Sequence, residues 1–201
     1  MAKLIEEAIA QKPEYLLLVN EKSVLEPLLS KADAAGIKTY LMLNGLSKRP
    51  EDTMYKHWLG ALTPDNRLAG YRLASILIEQ GLELKLDRKL KLFALLGDHS
   101  SHASLQRQKG LHDALRQQTD KVELLDEVVS HWSRPESYRK TFAYLSRFGQ
   151  IDIIWAANDS MARGAIDAAI ESDYILGNNV RIGGMNWDPQ DTLKPEQHLS
   201  L

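Results

Sequence analysis

Histidine and serine side chains are among the residues of this 201-residue chain that could support acid–base or nucleophilic chemistry. The segment His99-Ser100-Ser101-His102 brings both types together, but no G-x-S-x-G turn surrounds its serines. His112-Asp113 lacks the second histidine four positions further on that zinc-binding helix motifs use. The loop 97–101 precedes a predicted helix, yet it follows neither the Walker pattern nor the G-x-G-x-x-G pattern of nucleotide sites. The sequence therefore predicts no catalytic site, no metal site and no cofactor, and we expect the chain not to be an enzyme.

Composition excludes further classes of function. The chain has no cysteine, which excludes disulfides, thiolate metal sites and cysteine nucleophiles. Its formal net charge of -2 argues against a dedicated nucleic-acid surface, because phosphate binding needs a clustered excess of Lys and Arg. No apolar run approaches the roughly 20 residues that cross a bilayer. Residues 4–10 form an amphipathic pattern containing acids rather than the continuous apolar core of a signal peptide.

Two types of apolar pattern alternate along the chain, one typical of strands (the strand type) and one typical of helices (the helical type). The strand type predicts strands over 14–20, 38–43, 57–62, 91–96, 122–129, 151–157 and 180–185. The helical type predicts helices up to residue 12 and over 23–35, 65–80, 102–118, 135–148 and 159–171. A chain that alternates strands with helices forms parallel sheets covered by helices. We therefore predict the α/β class.

The two ends of the chain do not complete this pattern. The chain opens with a helix that leads into the first predicted strand. It closes with a polar tail, 188–201, that contains Pro189 and Pro195 and in which no strand is predicted. We therefore expect an α/β fold that is incomplete at both ends.

Four segments in order carry a resemblance to a known family. They are residues 13–44, in which an apolar run is followed by Gly36-Ile37 and, at the end, by Asn44; Pro64-Asp65-Asn66-Arg67-Leu68-Ala69-Gly70; residues 97–111 with Arg107-Gln108-Lys109-Gly110-Leu111; and Trp155-Ala156-Ala157-Asn158-Asp159-Ser160-Met161-Ala162-Arg163-Gly164-Ala165. Together they resemble the type I periplasmic binding proteins, such as ribose- and galactose-binding proteins, and the related effector domains of lac-repressor-like regulators. Asp and Asn residues in these segments are also common helix caps, so each one has a purely structural explanation as well.

The resemblance implies two Rossmann-like lobes and a function. Residues 1–64 would be the remnant of an N-lobe, residues 65–187 a C-lobe, and the hinge would cross near Thr63-Pro64-Asp65. It implies the solute-binding component of a bacterial ABC-type sugar importer, periplasmic, which binds a small sugar or polyol in the cleft between the lobes by hinge closure. A membrane permease would be its protein partner.

The resemblance also implies the ligand-binding residues. The polar positions that match are Asn44, Arg107, Asn158 and Asn186, and the family more often has Asp at the last of them. Arginine donates a fork of hydrogen bonds and asparagine both donates and accepts, which suits sugar hydroxyls. Trp132 falls where relatives place an aromatic ring against a sugar face. Trp58 and Trp187 are further aromatic candidates, and for Trp58, inside a predicted strand, core packing is the favoured interpretation.

Two alternatives keep the same fold. The chain could be a periplasmic receptor that presents its ligand to a membrane sensor kinase, and residues of the cleft do not separate that role from transport. It could also be the effector-binding domain of a lac-repressor-like transcription regulator. No helix-turn-helix precedes Met1 in this sequence, so we expect no direct contact with nucleic acid.

Overall fold

The computed structural model describes residues 2–20, 25–46, 48–186 and 199–200. Its helices are α1 (Ala2–Ala10), α2 (Glu26–Ala34), α3 (Asn66–Leu82), α4 (His102–Arg116), α5 (Arg134–Phe148) and α6 (Asp159–Glu171), with one 3₁₀ turn at Pro50–Asp52. Its strands are β1 (Tyr15–Val19), β2 (Lys38–Met42), β3 (Trp58–Leu62), β4 (Leu90–Leu96), β5 (Val122–Val129), β6 (Ile153–Ala156), β7 (Arg181–Gly184) and β8 (Leu199–Ser200). The predicted alternation of strands and helices is confirmed.

The chain divides into two compact units. Unit 1 comprises Met1–Asp65 and Ser100–Ala103, and unit 2 comprises Asn66–His99 and Ser104–Leu201. Each contains one parallel sheet, with strand order β1-β2-β3 in unit 1 and β5-β4-β6-β7-β8 in unit 2. The predicted α/β class with two parallel sheets flanked by helices is confirmed.

Unit 1 has a small core that includes residues from α1, α2 and one face of its sheet. Leu29 and Leu41 are fully buried there, and Ile5 of α1 packs in the same cluster. Trp58 is also part of this cluster, and its indole N–H donates to the carbonyl of Gly60 at 2.9 Å. Core packing, the favoured interpretation for Trp58, agrees with this position.

Unit 2 has the larger core, centred on β4 and β6. Six of the seven residues of β4 and all four of β6 are buried, as expected of parallel strands covered on both faces. A small residue lets α6 pack closely against α5. A Cβ at Gly164 of α6 would lie only 2.2 Å from the carbonyl oxygen of Arg134 in α5. The burial of β4 and β6 places the residues that follow these strands at one edge of a rigid sheet.

Several predicted boundaries differ from the structure. Helix α3 continues to Leu82, two residues beyond the predicted end at residue 80, and Gly81 lies inside the helix, where a Cβ would lie 2.9 Å from Leu90 Cδ1. Close packing on β4 therefore accounts for this glycine. Helix α2 begins at Glu26 rather than at Ser23, which lies outside the described residues.

The prediction of a tail without a strand is wrong. Leu199–Ser200 forms β8, which pairs in parallel with β7, while residues 187–198 lie outside the described part of the chain. This strand has two residues, which is too short for a periodic apolar pattern to predict it. Among the described residues, no helix is long and apolar enough to cross a membrane.

Candidate functional site

The carboxyl ends of four neighbouring strands in unit 2 carry the polar and aromatic residues of interest. Gly97 follows β4, Trp132 lies three residues after β5, Asn158 two residues after β6, and Asn186 two residues after β7. Because all four strands are parallel, these ends lie at one edge of the sheet. In the order β5-β4-β6, the next strand along the chain, β5, lies on one side of β4, and the one after it, β6, lies on the other side. Open α/β sheets bind ligands at such a switch point.

Arg107 is the central residue of this edge. It lies in the second turn of α4, and only 9% of its surface is exposed. Its Nε donates to Asn66 Oδ1 at 2.8 Å, one terminal nitrogen donates to the Ala157 carbonyl at 2.5 Å, and the other donates to Asn186 Oδ1 at 3.1 Å. A guanidinium carries five N–H donors, so with respect to the described residues one donor on each terminal nitrogen remains for another acceptor.

The charge of Arg107 is buried without a direct carboxylate partner among these three bonds. Burial lowers the pKa of its guanidinium to about 10, and the nearby Asp159 carboxylate opposes that lowering. At neutral pH the group is therefore a partly desolvated cation. Hydrogen bonds from such a cation are stronger than those between neutral groups.

A close crossing of α3 and α4 places Arg107 beside Asn66. A Cβ at Gly70 of α3 would lie 2.2 Å from the Arg107 carbonyl oxygen, and a Cβ at Gly110 of α4 would lie 2.0 Å from the Arg67 carbonyl oxygen. No real Cβ tolerates such distances, so glycine at both positions lets the two backbones touch. The crossing brings residues 41 positions apart in sequence into hydrogen-bond contact.

Trp132 lies over Gly97 and beside Arg107. A Cβ at Gly97 would lie 2.2 Å from Cζ2 of the indole, so the ring occupies the space that a side chain at position 97 would need. The Arg107 guanidinium carbon lies 5.7 Å from the centroid of the indole ring, within the range of a cation–π interaction. An aromatic plane and a buried cation thus meet at the ends of β4 and β5.

Asn158 and Asn44 have local roles in the structure. Asn158 caps α6, because its side-chain oxygen accepts from the Met161 backbone N–H at 2.9 Å. This bond occupies the oxygen of Asn158 and not its amide nitrogen. Asn44 belongs to unit 1, where it follows β2 and its backbone N–H donates to the Met42 carbonyl at 2.7 Å. Contact of either residue with a ligand stays a prediction, as it does for Arg107, Trp132 and Asn186.

Two buried residues beside Arg107 are absent from the predicted site. Asn66 begins α3 and is 5% exposed, and Asp159 begins α6 and is 2% exposed. Both belong to the Asx pairs that the sequence shows before these helices, so a signal was present. It did not distinguish a buried residue from an ordinary helix cap. Among the described residues, no group of three or more His, Asp or Glu side chains could hold a metal ion.

Comparisons with known proteins identify a family and several relatives that this chain resembles. The family model described as "Periplasmic binding protein domain" matches residues 1–191. A D-apiose import binding protein of Paraburkholderia graminis is 26% identical over 204 aligned positions, which cover 96% of this chain and 61% of that protein. A protein of the same name from Actinobacillus succinogenes is 25% identical over 178 positions, which cover 87% of this chain and 54% of that protein. The chain thus spans little more than half the length of these relatives.

A solved structure resembles this chain over nearly all its length. It is a periplasmic sugar-binding protein from Pseudomonas fluorescens, with 29% identity and a TM-score of 0.78. The match covers 94% of this chain and 56% of that one. The implied likeness to periplasmic sugar-binding proteins is therefore confirmed.

Proposed function

We propose, since this chain belongs to the periplasmic binding protein family, that it is the sugar-binding part of a solute-binding protein of an ABC-type importer. The observation that carries the proposal is the buried Arg107, which keeps a donor on each terminal nitrogen at the carboxyl edge of the unit 2 sheet. Three protein acceptors hold the guanidinium in place, so a ligand meets a preorganised cation. Preorganisation lowers the entropy lost on binding.

The chemistry of this edge suits a small polyhydroxylated ligand. Donors on Arg107 would bind hydroxyl oxygens, and the amide nitrogen of Asn158 would add another donor. Trp132 would cover the C–H face of a sugar ring, as aromatic side chains do in sites that bind partly apolar ligands. Asn186, whose oxygen accepts from Arg107, would tune the position of the guanidinium rather than bind a hydroxyl through that atom.

The names of two relatives indicate which sugar to test first. Two of them are named D-apiose import binding proteins. We therefore place a pentose-sized sugar or a polyol first as the ligand of this chain, with D-apiose as the first compound to test. The protein would act in the periplasm, deliver its ligand to a membrane permease, and catalyse no reaction.

A thermal-shift and calorimetric titration tests the proposal. The chain is titrated with D-apiose, D-allose and myo-inositol, and with tetrahydropyran, a ring of sugar size that carries neither hydroxyl nor carboxylate groups. A ligand that binds only the folded state stabilises it by about 2.7 kcal/mol at a hundredfold excess over Kd. We expect one polyhydroxylated compound to raise the thermal midpoint and tetrahydropyran to leave it unchanged.

The variant Arg107→Met locates the binding site, and Arg139→Met is its matched control. Arg139 lies on α5 with its side chain largely exposed and paired with Glu136. We expect Arg107→Met to abolish the ligand-induced shift and Arg139→Met to retain it. A shift of equal size in both variants would move the site away from Arg107, and no shift with any sugar would contradict the proposal.

A further inference from the structure

The loop that carries Trp132 has an unusual backbone. His131 has φ 51° and Trp132 has φ 59°, so two consecutive residues with side chains adopt the left-handed region. This region is unfavourable for residues other than glycine, and least so for Asn and Asp. The surrounding structure must therefore hold the loop in this conformation.

Backbone hydrogen bonds fix the two ends of the loop but not its middle. The Ser130 N–H donates to the Leu96 carbonyl at 2.7 Å, and the Ser133 N–H donates to the Ser130 carbonyl at 2.9 Å. Between these points the side chain of His131 contacts Asp98, with His131 Nδ1 and Asp98 Oδ1 2.5 Å apart. A carboxylate only accepts hydrogen bonds, so Nδ1 of His131 carries the hydrogen and donates it.

The Asp98–His131 pair connects the loop after β4, on which the Trp132 indole packs, with the loop after β5, which carries Trp132. Asp98 directly follows Gly97, the residue on which the Trp132 ring packs, and His131 directly precedes Trp132. The pair therefore links the loop on which the Trp132 ring packs to the backbone beside Trp132. The His131 side chain is 60% exposed, whereas that of Asp98 is 24% exposed, so the pair lies at the outer side of this contact.

We propose that Asp98 and His131 are positioning residues, whose hydrogen bond keeps Trp132 over Gly97 and beside Arg107 and thereby sets the affinity of the sugar site. The proposal rests on the function proposed above. Without the hydrogen bond, the strained loop relaxes and the indole leaves Gly97. The aromatic wall is then no longer in place when the ligand arrives.

Two substitutions of His131 separate the hydrogen bond from the backbone strain. In His131→Gly, the left-handed conformation becomes easy but the donor to Asp98 is lost. In His131→Asn, the left-handed conformation is tolerated and the side-chain amide offers a donor to Asp98. The proposal predicts that Asn restores what Gly loses, whereas a purely local backbone effect predicts that Gly is at least as good as Asn.

The first readout needs no ligand. The indole Nε1–H resonance of Trp132 is assigned in a ¹H–¹⁵N spectrum by its loss in Trp132→Phe. We expect this resonance to move or broaden in His131→Gly and in Asp98→Ala, and to stay near its original position in His131→Asn. His112→Ala is the control for Asp98→Ala, because His112 Nε2 and Glu127 Oε1 are likewise 2.8 Å apart and neither residue belongs to the Asp98–His131 pair. It should leave the resonance unchanged.

The second readout is the Kd for D-apiose by calorimetry. We expect His131→Gly to weaken binding about tenfold, the range that loss of one hydrogen bond spans, and His131→Asn to stay within about twofold of the original. An unmoved Trp132 resonance in His131→Gly overturns the proposal, and so does equal weakening by Gly and Asn. If the unaltered chain does not bind D-apiose, the proposed function fails for that sugar, while the ligand-free spectra still decide the role of the pair.

Discussion

Replacing Arg107 by methionine should separate the stability of the protein from its function. Arg107 is buried as a cation, and burial lowers the pKa of its guanidinium to about 10. Methionine has a similar length, fills irregular space well and carries no charge. The substitution therefore removes a buried charge while it largely preserves packing.

The expected change in stability follows from two opposing contributions. The lowered pKa corresponds to roughly 3 kcal/mol by which the folded protein disfavours the charged form, at about 1.4 kcal/mol per pH unit. Methionine removes that cost but leaves the oxygens of Asn66, Ala157 and Asn186 without their donor, at about 1 kcal/mol each. The two contributions nearly cancel. We therefore expect the free energy of unfolding to change by no more than about 1 kcal/mol.

Sugar binding should respond differently from stability. Methionine has no N–H group for the ligand, so ligand oxygens in a desolvated site remain unpaired. That costs about 3 kcal/mol, or roughly a hundredfold in Kd. Arg107→Ala, which also creates a cavity, should lose about 3 kcal/mol of stability relative to the methionine variant. Urea unfolding gives the stabilities and calorimetry gives the Kd.

The pH dependence gives an independent measure of the buried charge. Because the pKa of Arg107 is lower in the folded protein, the unfolded chain keeps its proton longer as the pH rises above about 10. The stability of the original protein relative to Arg107→Met should therefore increase in this range. A methionine variant destabilised by more than about 3 kcal/mol would refute the reasoning, since the hydrogen bonds would then outweigh the cost of burial.

Three further predictions concern the scaffold of unit 2. Gly110→Ala should lower the thermal midpoint in calorimetry, because its Cβ would lie 2.0 Å from the Arg67 carbonyl oxygen, and an unchanged midpoint would disprove the close helix crossing. Asp152→Ala should cost about 3–5 kcal/mol in urea unfolding, because the 2% exposed Asp152 side chain accepts two hydrogen bonds from Arg88; a cost below about 1 kcal/mol contradicts this. The hydrogen bond from Arg67 lowers the pKa of Asp113, so stability from Asp113 is present above the ordinary carboxyl pKa and is lost as the pH falls through the lowered one. Asp113→Asn should flatten the acid side of the stability–pH curve, and an identical curve argues against the pairing.

The fold was largely predictable because strand and helix periods differ strongly in this chain. Buried parallel strands such as β4 consist of near-continuous apolar residues, and sequence patterns detect them directly. Features set by tertiary contact were not predictable in the same way. Gly81 has the residue type of a helix stop, but its neighbour Leu90 makes it a packing residue inside α3.

The candidate site was predictable by residue type and not by partnership. Arg107 was found from its motif, whereas its bond to Asn66 depends on the crossing of α3 over α4, which neither helix encodes alone. The role of Asn158 was not predictable either, because a helix cap and a ligand donor have the same sequence pattern. A pattern along the chain gives the chemistry of a residue. The groups that compete for its hydrogen bonds come from elsewhere in the fold.

The bonds that Arg107 already makes restrict the ligand that it can recognise. Its Nε and one hydrogen on each terminal nitrogen are occupied by oxygens of the protein. A ligand can therefore reach only the two remaining hydrogens, one on each terminal nitrogen, an arrangement suited to two oxygens held close together. Neighbouring hydroxyls of a sugar ring supply such a pair, and so does a carboxylate, whereas a single hydroxyl does not. Affinity should accordingly fall more when one of two adjacent hydroxyls is removed than when an isolated hydroxyl is removed, because a lone oxygen leaves one buried N–H donor unpaired.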